Sequence, residues 1–467
     1  MSLKRVLSSL FIFLCISDTS IAAKWDNAFG VGFEIGYVDN IGLAPPGEEL
    51  SQYVAQLTPF VKLHGEGARA LLDLDYQLQY LNYESNDIDS EIYHQLYATA
   101  NAEFIEKLFF LDLSASNFQS AITDAATIPQ DNISISDNRT NVTTTTISPY
   151  IETRVSSKAN LLLRYTLNNT KYDNFGELQP DTENQSYVGE ISSEESPVDW
   201  RLSYLRNEFN TNIAETNYYE ETSFTLYYNI NPQFVPFTTI GNEKNKIVNT
   251  SFDEGGGYWN VGLRWRPTTR TTFLVSHGQQ FYGKSNEFTW MTKGRHTNID
   301  IKYTEEVTNT GDVFAGRPPP VAAPPGSENE FIPISIRPYL RKRLNSNIRY
   351  GYSKTNINWY AFNERRIFLI GEGEDKSYGT TINWDWALTE RTSPSLSAGW
   401  QRIQSSIPTQ LDNELTNIDL SIVHTSSKRL VSSIIYRFQK QHSNYSKNDY
   451  TQNSIFLNFT LLIDNNN

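Results

Sequence analysis

The sequence predicts an all-β fold, a transmembrane antiparallel up-and-down β-barrel of about 22 strands (range about 18–22). Three observations carry that expectation: an export leader, hydrophobicity that alternates with period two along most of the chain, and connections that are short and long by turns.

The leader comes first. Lys4 and Arg5 precede the apolar run Val6 to Ile16, and small residues follow at Ala22 and Ala23, which predicts a signal peptide over residues 1–23 and a single barrel domain over 24–467. The run is about 11 residues long, well short of the ~20 that a membrane-crossing helix needs. Ile12, Phe13 and Leu14 before Cys15 lack the small side chains that normally precede a lipid-modified cysteine. Cys15, the one cysteine, leaves with the leader, so the mature chain is expected to use no disulfide and no cysteine-based metal site. With 27 Tyr, 25 Phe and 9 Trp but only 39% hydrophobic residues, the chain has ample amphipathic surface and few continuous apolar blocks. A formal net charge of −14 argues against nucleic acid as a partner, because phosphate binding needs a basic surface.

The strands follow in order. Phe29, Val31, Phe33, Ile35 and Tyr37 alternate with Gly30, Gly32, Glu34 and Gly36, giving one face for lipid and one for a polar interior. Leu72, Leu74, Tyr76, Leu78 and Tyr80 oppose Leu71, Asp73, Asp75, Gln77 and Gln79, and Trp259, Val261, Leu263 and Trp265 oppose Tyr258, Asn260, Gly262, Arg264 and Arg266. Tyr378 to Leu388 repeats the pattern against Gly379, Thr381, Asn383 and Asp385, and Ile455 to Leu461 against Ser454, Phe456, Asn458 and Thr460. A single such segment would suit a soluble sandwich. Segments of about 10 to 15 residues, sustained across the chain, exceed ordinary soluble strands and suit tilted strands crossing a bilayer.

Tight turns are expected at Gly65 to Gly67, Glu106 to Lys107, Ser156 to Lys158, Asn231 to Pro232, Pro267 to Thr269, Lys354, Thr389 to Thr392 and Ser426 to Ser427. Longer polar segments between them, such as Asp39 to Ser51, Ser120 to Thr140, Thr211 to Tyr219 and Ser405 to Leu411, predict outer loops. One connection stands apart: 307–343 carries Pro318, Pro319, Pro320, Pro324 and Pro325 and ends in Arg341, Lys342 and Arg343, so it reads as a long loop that either folds inward to narrow the lumen or projects outward. No N-terminal segment is long enough for a separate plug, which argues against a TonB-coupled transporter.

Inner-face positions supply the candidate lumen-lining residues: Arg69, Asp73, Asp75, Gln77, Glu152, Arg154, Arg264, Arg266, Asn383 and Asp385. Asp73 and Asp75 share a face and admit a paired-carboxylate reading, but a wet channel wall uses the same residues. The histidines His64, His94, His277, His296, His424 and His442 are scattered singly, none at metal-ligand spacing, and Ser276 and His277 point to opposite faces. No catalytic residue, cofactor or metal is expected, and the chain is not read as an enzyme. Inner aromatics such as Tyr258 and Phe110 could stack on sugar rings.

The order of several short motifs resembles the PEP-CTERM system-associated outer-membrane β-barrel family. They are Asn40-Ile41-Gly42-Leu43-Ala44-Pro45, Gly65-Glu66-Gly67-Ala68-Arg69 leading into Leu72-Asp73-Leu74-Asp75-Tyr76, Ser148-Pro149-Tyr150, Trp265-Arg266-Pro267, Arg341-Lys342-Arg343-Leu344, Asn363-Glu364-Arg365-Arg366 and Ala398-Gly399-Trp400-Gln401. The resemblance implies a place in the bacterial outer membrane, an association with exosortase-type sorting, and a role in exopolysaccharide export with polysaccharide and periplasmic machinery as partners. The Asn-rich tail, Asn465 to Asn467, departs from the aromatic ending common in such barrels. A barrel of this size would be on the order of 40 Å across. Two functions are expected to compete, a passive conduit for the polymer and a non-transporting scaffold or anchor for matrix and surface-sorted proteins; an outer-membrane hydrolase using Asp73 or Asp75 is the third alternative.

Overall fold

The computed structural model describes residues 23–173, 181–193, 197–211, 214–246, 255–315, 330–335, 337–371, 373–406 and 411–463. The predicted leader, the proline cluster and the Asn-rich tail lie outside these residues, Ala23 excepted.

The first strands are β1 (Lys24–Val38), β2 (Gln52–Glu66), β3 (Ala70–Tyr83), β4 (Glu91–Ile105), β5 (Phe109–Ser120) and β6 (Thr140–Ser156). Next come β7 (Ala159–Tyr172), β8 (Thr182–Ser193), β9 (Val198–Thr211), β10 (Ala214–Tyr228), β11 (Phe234–Lys246) and β12 (Gly255–Thr268). The third group is β13 (Thr271–Gln280), β14 (Gly283–Lys293), β15 (Thr297–Thr308), a short helix α1 (Thr310–Ala315), β16 (Tyr339–Tyr352) and β17 (Thr355–Phe368). The chain closes with β18 (Glu374–Trp386), β19 (Thr392–Gln404), β20 (Asp412–Thr425), β21 (Leu430–Ser443) and β22 (Tyr450–Ile463). Each strand pairs antiparallel with its sequence neighbour, and β1 pairs with β22 from Phe29↔Ile463 to Val38↔Ser454. The sheet is therefore a closed barrel of 22 strands, in which no backbone edge is left to face hydrocarbon. The shortest strand has 10 residues and the longest 17, enough to cross a bilayer when tilted.

The two faces sort as the alternation demands. Phe33, Ile35, Leu57, Val261, Val275, Ile422, Ile434, Leu457 and Phe459 are all more than 40% exposed, which in a closed barrel means an apolar outer wall. Near the end of the barrel that holds Trp25, the rings of Trp265, Phe273 and Trp290 stack in a row across β12 to β14 at 5.3 and 5.6 Å, as an interfacial girdle. These features place the protein in a bacterial outer membrane. Inside, Gly30 and Gly36 make room for rings: a Cβ at Gly36 would lie 2.5 Å from the Ile455 carbonyl oxygen and collide with Phe456.

The loop expectations need two corrections and one addition. The long connection spans 309–338, not 307–343, because β15 runs to Thr308 and β16 begins at Tyr339. Arg341, Lys342 and Arg343 are therefore wall residues, paired with Glu306, Glu305 and Thr304 of β15, and their charge is absorbed by neighbouring strands. The polar stretch 211–219 is mostly strand: β9 reaches Thr211 and β10 starts at Ala214, because strand tops beyond the hydrocarbon can be polar on both faces. Finally, β13 and β14 are joined on the outer rim by Phe281 and Tyr282 alone, a tight hairpin that Gly283 permits with φ of 102°.

Candidate functional site

The interior of the barrel is the candidate site, and the described residues of two of the barrel's own loops dock against the wall in its outer half. The β5–β6 loop, residues 121–139, reaches across to β20–β22. Ile128 N–H donates to Gln441 Oε1 at 2.8 Å, Tyr450 Oη donates to the Ile128 carbonyl at 3.0 Å, and Asn413 Nδ2 donates to the Asp124 carbonyl at 2.8 Å. Arg437 of β21 binds Asp131 of this loop at 3.0 Å and Asp419 of β20 at 2.8 Å. Ile133 packs with Val38, Ile41, Val54, Leu81 and Phe456, so the loop also carries its own apolar anchor.

The second inward element is the described part of the 309–338 connection, residues 309–315, 330–335, 337 and 338. Asn309 and Asn184 of β8 exchange amide hydrogen bonds at 2.9 and 3.0 Å, Asn168 of β7 donates to Asp312 at 2.9 Å, and Phe314 of α1 meets Phe118 edge to face at 5.4 Å. On the returning arm, Arg343 of β16 grips Glu330 with two bonds of 2.8 Å, Phe331 and Gln401 of β19 bond reciprocally, and Arg366 of β17 donates to the Pro333 carbonyl at 2.9 Å. Glu364 holds Arg341, Arg343 and Arg366 together at 2.8, 2.5 and 2.5 Å. The two loops share a small apolar cluster: Ile128 of the first and Phe331 of the second pack with Ile403 and Leu415.

Electrostatics inside the first loop split two carboxylates. Burial pushes the Asp124 carboxyl up to about 6, helped by the neighbouring charge of Asp375. Burial also raises Asp131, but Arg437, Arg139 and hydrogen bonds from Ser134 outweigh it and hold the group below the usual carboxylate range.

The sequence-predicted residues fall mostly outside this plug. Asp73 and Asp75 each have a basic partner across the β2–β3 register, His64 at 2.5 Å and Lys62 at 2.6 Å, so they form a ladder of pairs and not a carboxylate dyad. Gln77 pairs with Phe60 on the same wall. Arg69 lies in the 67–69 turn, bound to Glu106 at 2.7 Å on the short-turn rim. Glu152 and Arg154 are exposed on β6, on the same face as buried Thr144 and Ser148. Arg264 and Arg266 line a separate recess with Asp199, Arg201 and Tyr227, and Asn383 is buried above an exposed Asp385 on β18. Phe110 stacks on Tyr150 at 4.9 Å beneath the Arg164 guanidinium, and Tyr258 donates to Glu221. Among the described residues, no group of three or more His, Cys, Asp or Glu side chains could hold a metal ion.

Sequence reasoning missed the plug contacts themselves: Asp131, Glu330, Glu364, Arg366, Asp419 and Arg437. Glu364 and Arg366 occupy alternate positions on β17, as do Gln439 and Arg437 on β21, so an inward charged face was visible. Their partners were not, because the two loops carry no periodic pattern.

No family model matches the sequence, and no curated protein is similar to it. Solved structures match the chain at very low identity. A variant of the ferric enterobactin receptor of Pseudomonas aeruginosa is 8% identical over 93% of this chain and 80% of that chain, with a TM-score of 0.48. The FrpB iron transporter of Neisseria meningitidis is 9% identical over 94% and 83%, also with a TM-score of 0.48, and OpdQ of Pseudomonas aeruginosa is 8% identical over 94% and 98%, with a TM-score of 0.33.

Proposed function

We propose that this outer-membrane barrel is a loop-gated conduit for a hydrophilic polymer, an exopolysaccharide passed to it by periplasmic machinery of the PEP-CTERM and exosortase type. The supporting observation is the origin of the plug: the described loop residues docked in the outer half belong to the barrel and are held by side-chain bonds to its wall, so they can leave and return without a separate domain being expelled. Below them the wall carries acids, bases and amides in alternation, among them Asp73, Asp75, Glu152, Arg154 and Asp385, which can replace the hydration of a passing polymer. The work of export would come from the periplasmic side, and the resemblance to the PEP-CTERM-associated family supplies the polymer class. The density of bonds holding the plug favours the second reading, a non-transporting scaffold that displays its loops to the surface matrix. Proteoliposomes loaded with fluorescent dextran separate the two. The conduit reading expects dextran release when the 309–338 connection is replaced by a short linker; full retention by that variant favours the scaffold.

A further inference from the structure

Between the two plug loops and the wall formed by β1–β5, β20 and β21 lies a cavity of about 430 Å³, within the size range of small-ligand pockets. Its lining is unusual in kind. Side-chain amides from five wall strands and one loop converge on it: Gln56, Gln79, Gln95, Asn132, Asn417 and Gln439. Part of this set is satisfied internally, since Asn132 Nδ2 donates to both Gln79 Oε1 and Gln119 Oε1 at 2.8 Å. Part is not. Gln95 Oε1, Gln439 Oε1 and Asn417 Nδ2 have no hydrogen-bond partner, although their residues are only 7%, 2% and 7% exposed. Buried polar atoms are normally paired, so two acceptors and a donor beside one cavity point to a ligand that supplies both kinds of group. These three atoms are themselves closed to solvent, so a ligand reaches them by turning the terminal amide torsion, which is soft.

We infer that this cavity is a binding subsite for a neutral sugar unit of a glycan, held by the Gln95, Asn417 and Gln439 amides and by Phe118 and Phe331. Vicinal hydroxyls donate and accept at once, as an amide does, and the rings of Phe118 and Phe331 offer an apolar surface to the carbon face of a pyranose. Neutrality follows from the charges on the lining. Asp131 and Asp419 are taken by Arg437, Arg139 donates to Tyr93 and to loop carbonyls, and Glu34 accepts from Asn458. Glu330 is held by Arg343, so the described lining carries four acids, Glu34, Asp131, Asp419 and Glu330, against two bases, Arg139 and Arg437, and that excess of acid disfavours a carboxylate or sulfate on the sugar. The inference rests on the conduit reading, because it treats the cavity as a station on the path of the glycan.

The test is a ligand-observed NMR titration of the full barrel in a zwitterionic detergent that lacks a sugar head group. Maltohexaose is the neutral probe and hexagalacturonate the anionic one. Saturable maltohexaose binding near the millimolar range is expected, weakened about tenfold in Gln95→Leu with Gln439→Leu, as for the loss of one or two neutral hydrogen bonds. Hexagalacturonate should bind far more weakly. Heat-modifiable migration of the double variant on gels confirms that its barrel is folded, and Asn417→Leu gives a second, independent variant on another strand. Absence of maltohexaose binding, unchanged affinity in both variants, or a preference for the anionic probe each overturns the inference. Dextran release without maltohexaose binding removes the subsite and keeps the conduit, whereas binding in a barrel that never releases dextran keeps the subsite and removes the conduit.

Discussion

Glu330→Gln is the most informative single change to the plug. Glu330 is the only contribution of the returning loop arm to the buried charge cluster among the described residues; its carboxylate meets Arg343 through two bonds of 2.8 Å, at side-chain exposures of 7% and 5%. Gln keeps the shape but can accept only through one oxygen, so one bond from Arg343 is lost and the other keeps only the charge of its donor. Arg343 itself stays paired with Glu364 at 2.5 Å and with Tyr360 at 2.7 Å, so the wall does not acquire an orphaned charge. The loss is then that of a hydrogen bond to a charged group, about 1.5–3 kcal/mol, and not the larger penalty of breaking a buried pair. Local opening of the arm should become about tenfold to a hundredfold more frequent. Hydrogen exchange reads this directly: the Phe331 amide, bonded to Gln401 at 2.9 Å, and the Ser335 amide, bonded to Thr310 at 3.0 Å, should lose that factor in protection, while amides of β3 and β4 should not change. Unchanged protection at Phe331 and Ser335 would show that the Arg343 clamp does not hold the loop.

Other perturbations test other parts of the account. Asp124 has its folded-state pKa raised to about 6. Between the ordinary carboxylate value and about 6 the docked loop binds more protons than the undocked one, so docking should weaken as pH rises through that window, by about 3 kcal/mol in total. Exchange at the Ile128 amide should accordingly be faster at pH 7 than at pH 5 after correction for the intrinsic rate, and Asp124→Asn should abolish the difference; a pH-independent protection in the native protein contradicts it. Asp131 has the opposite sign: its depressed carboxyl supports docking above the ordinary carboxylate pKa and loses that support as pH falls through its folded value. Ile434→Arg, on the outer wall at 52% exposure, should destabilise the barrel in bilayers by about 2–4 kcal/mol in urea titrations, whereas Ser433→Arg on the inner face of the same strand should cost much less. Gly36→Ala forces a methyl group against Phe456 and the Ile455 carbonyl and should cost about 1–3 kcal/mol; an unaffected unfolding midpoint would mean that β1 and β22 are not packed as described.

Much of the barrel was legible because the bilayer imposes a rule on every strand. The outward faces of β1, β3, β12, β18 and β22 alternate cleanly, and the even number of strands follows from the alternation of turns and loops. The ends of strands were less legible. Beyond the hydrocarbon both faces can be polar, so Asn217 to Tyr219 read as loop although they pair with β9, and the basic run at Arg341 read as loop although alternation sends Arg341 and Arg343 inward and Lys342 outward to Glu305. The β13–β14 hairpin was missed because Phe281 and Tyr282 carry no turn signal apart from Gly283. For the site, the plug was not readable, because it depends on contacts such as Arg437 with Asp131, separated by 306 residues, which only the closed barrel brings together.

The central claim is that the barrel is closed by its own loops and opens when they leave. Single-channel recording in planar bilayers tests it most directly, comparing the native protein with a variant in which 309–338 is replaced by a short linker and 121–139 is shortened. The account predicts a native protein that is mostly closed and a variant with a large, steady conductance. A variant that inserts, shows heat-modifiable migration and remains sealed would contradict it.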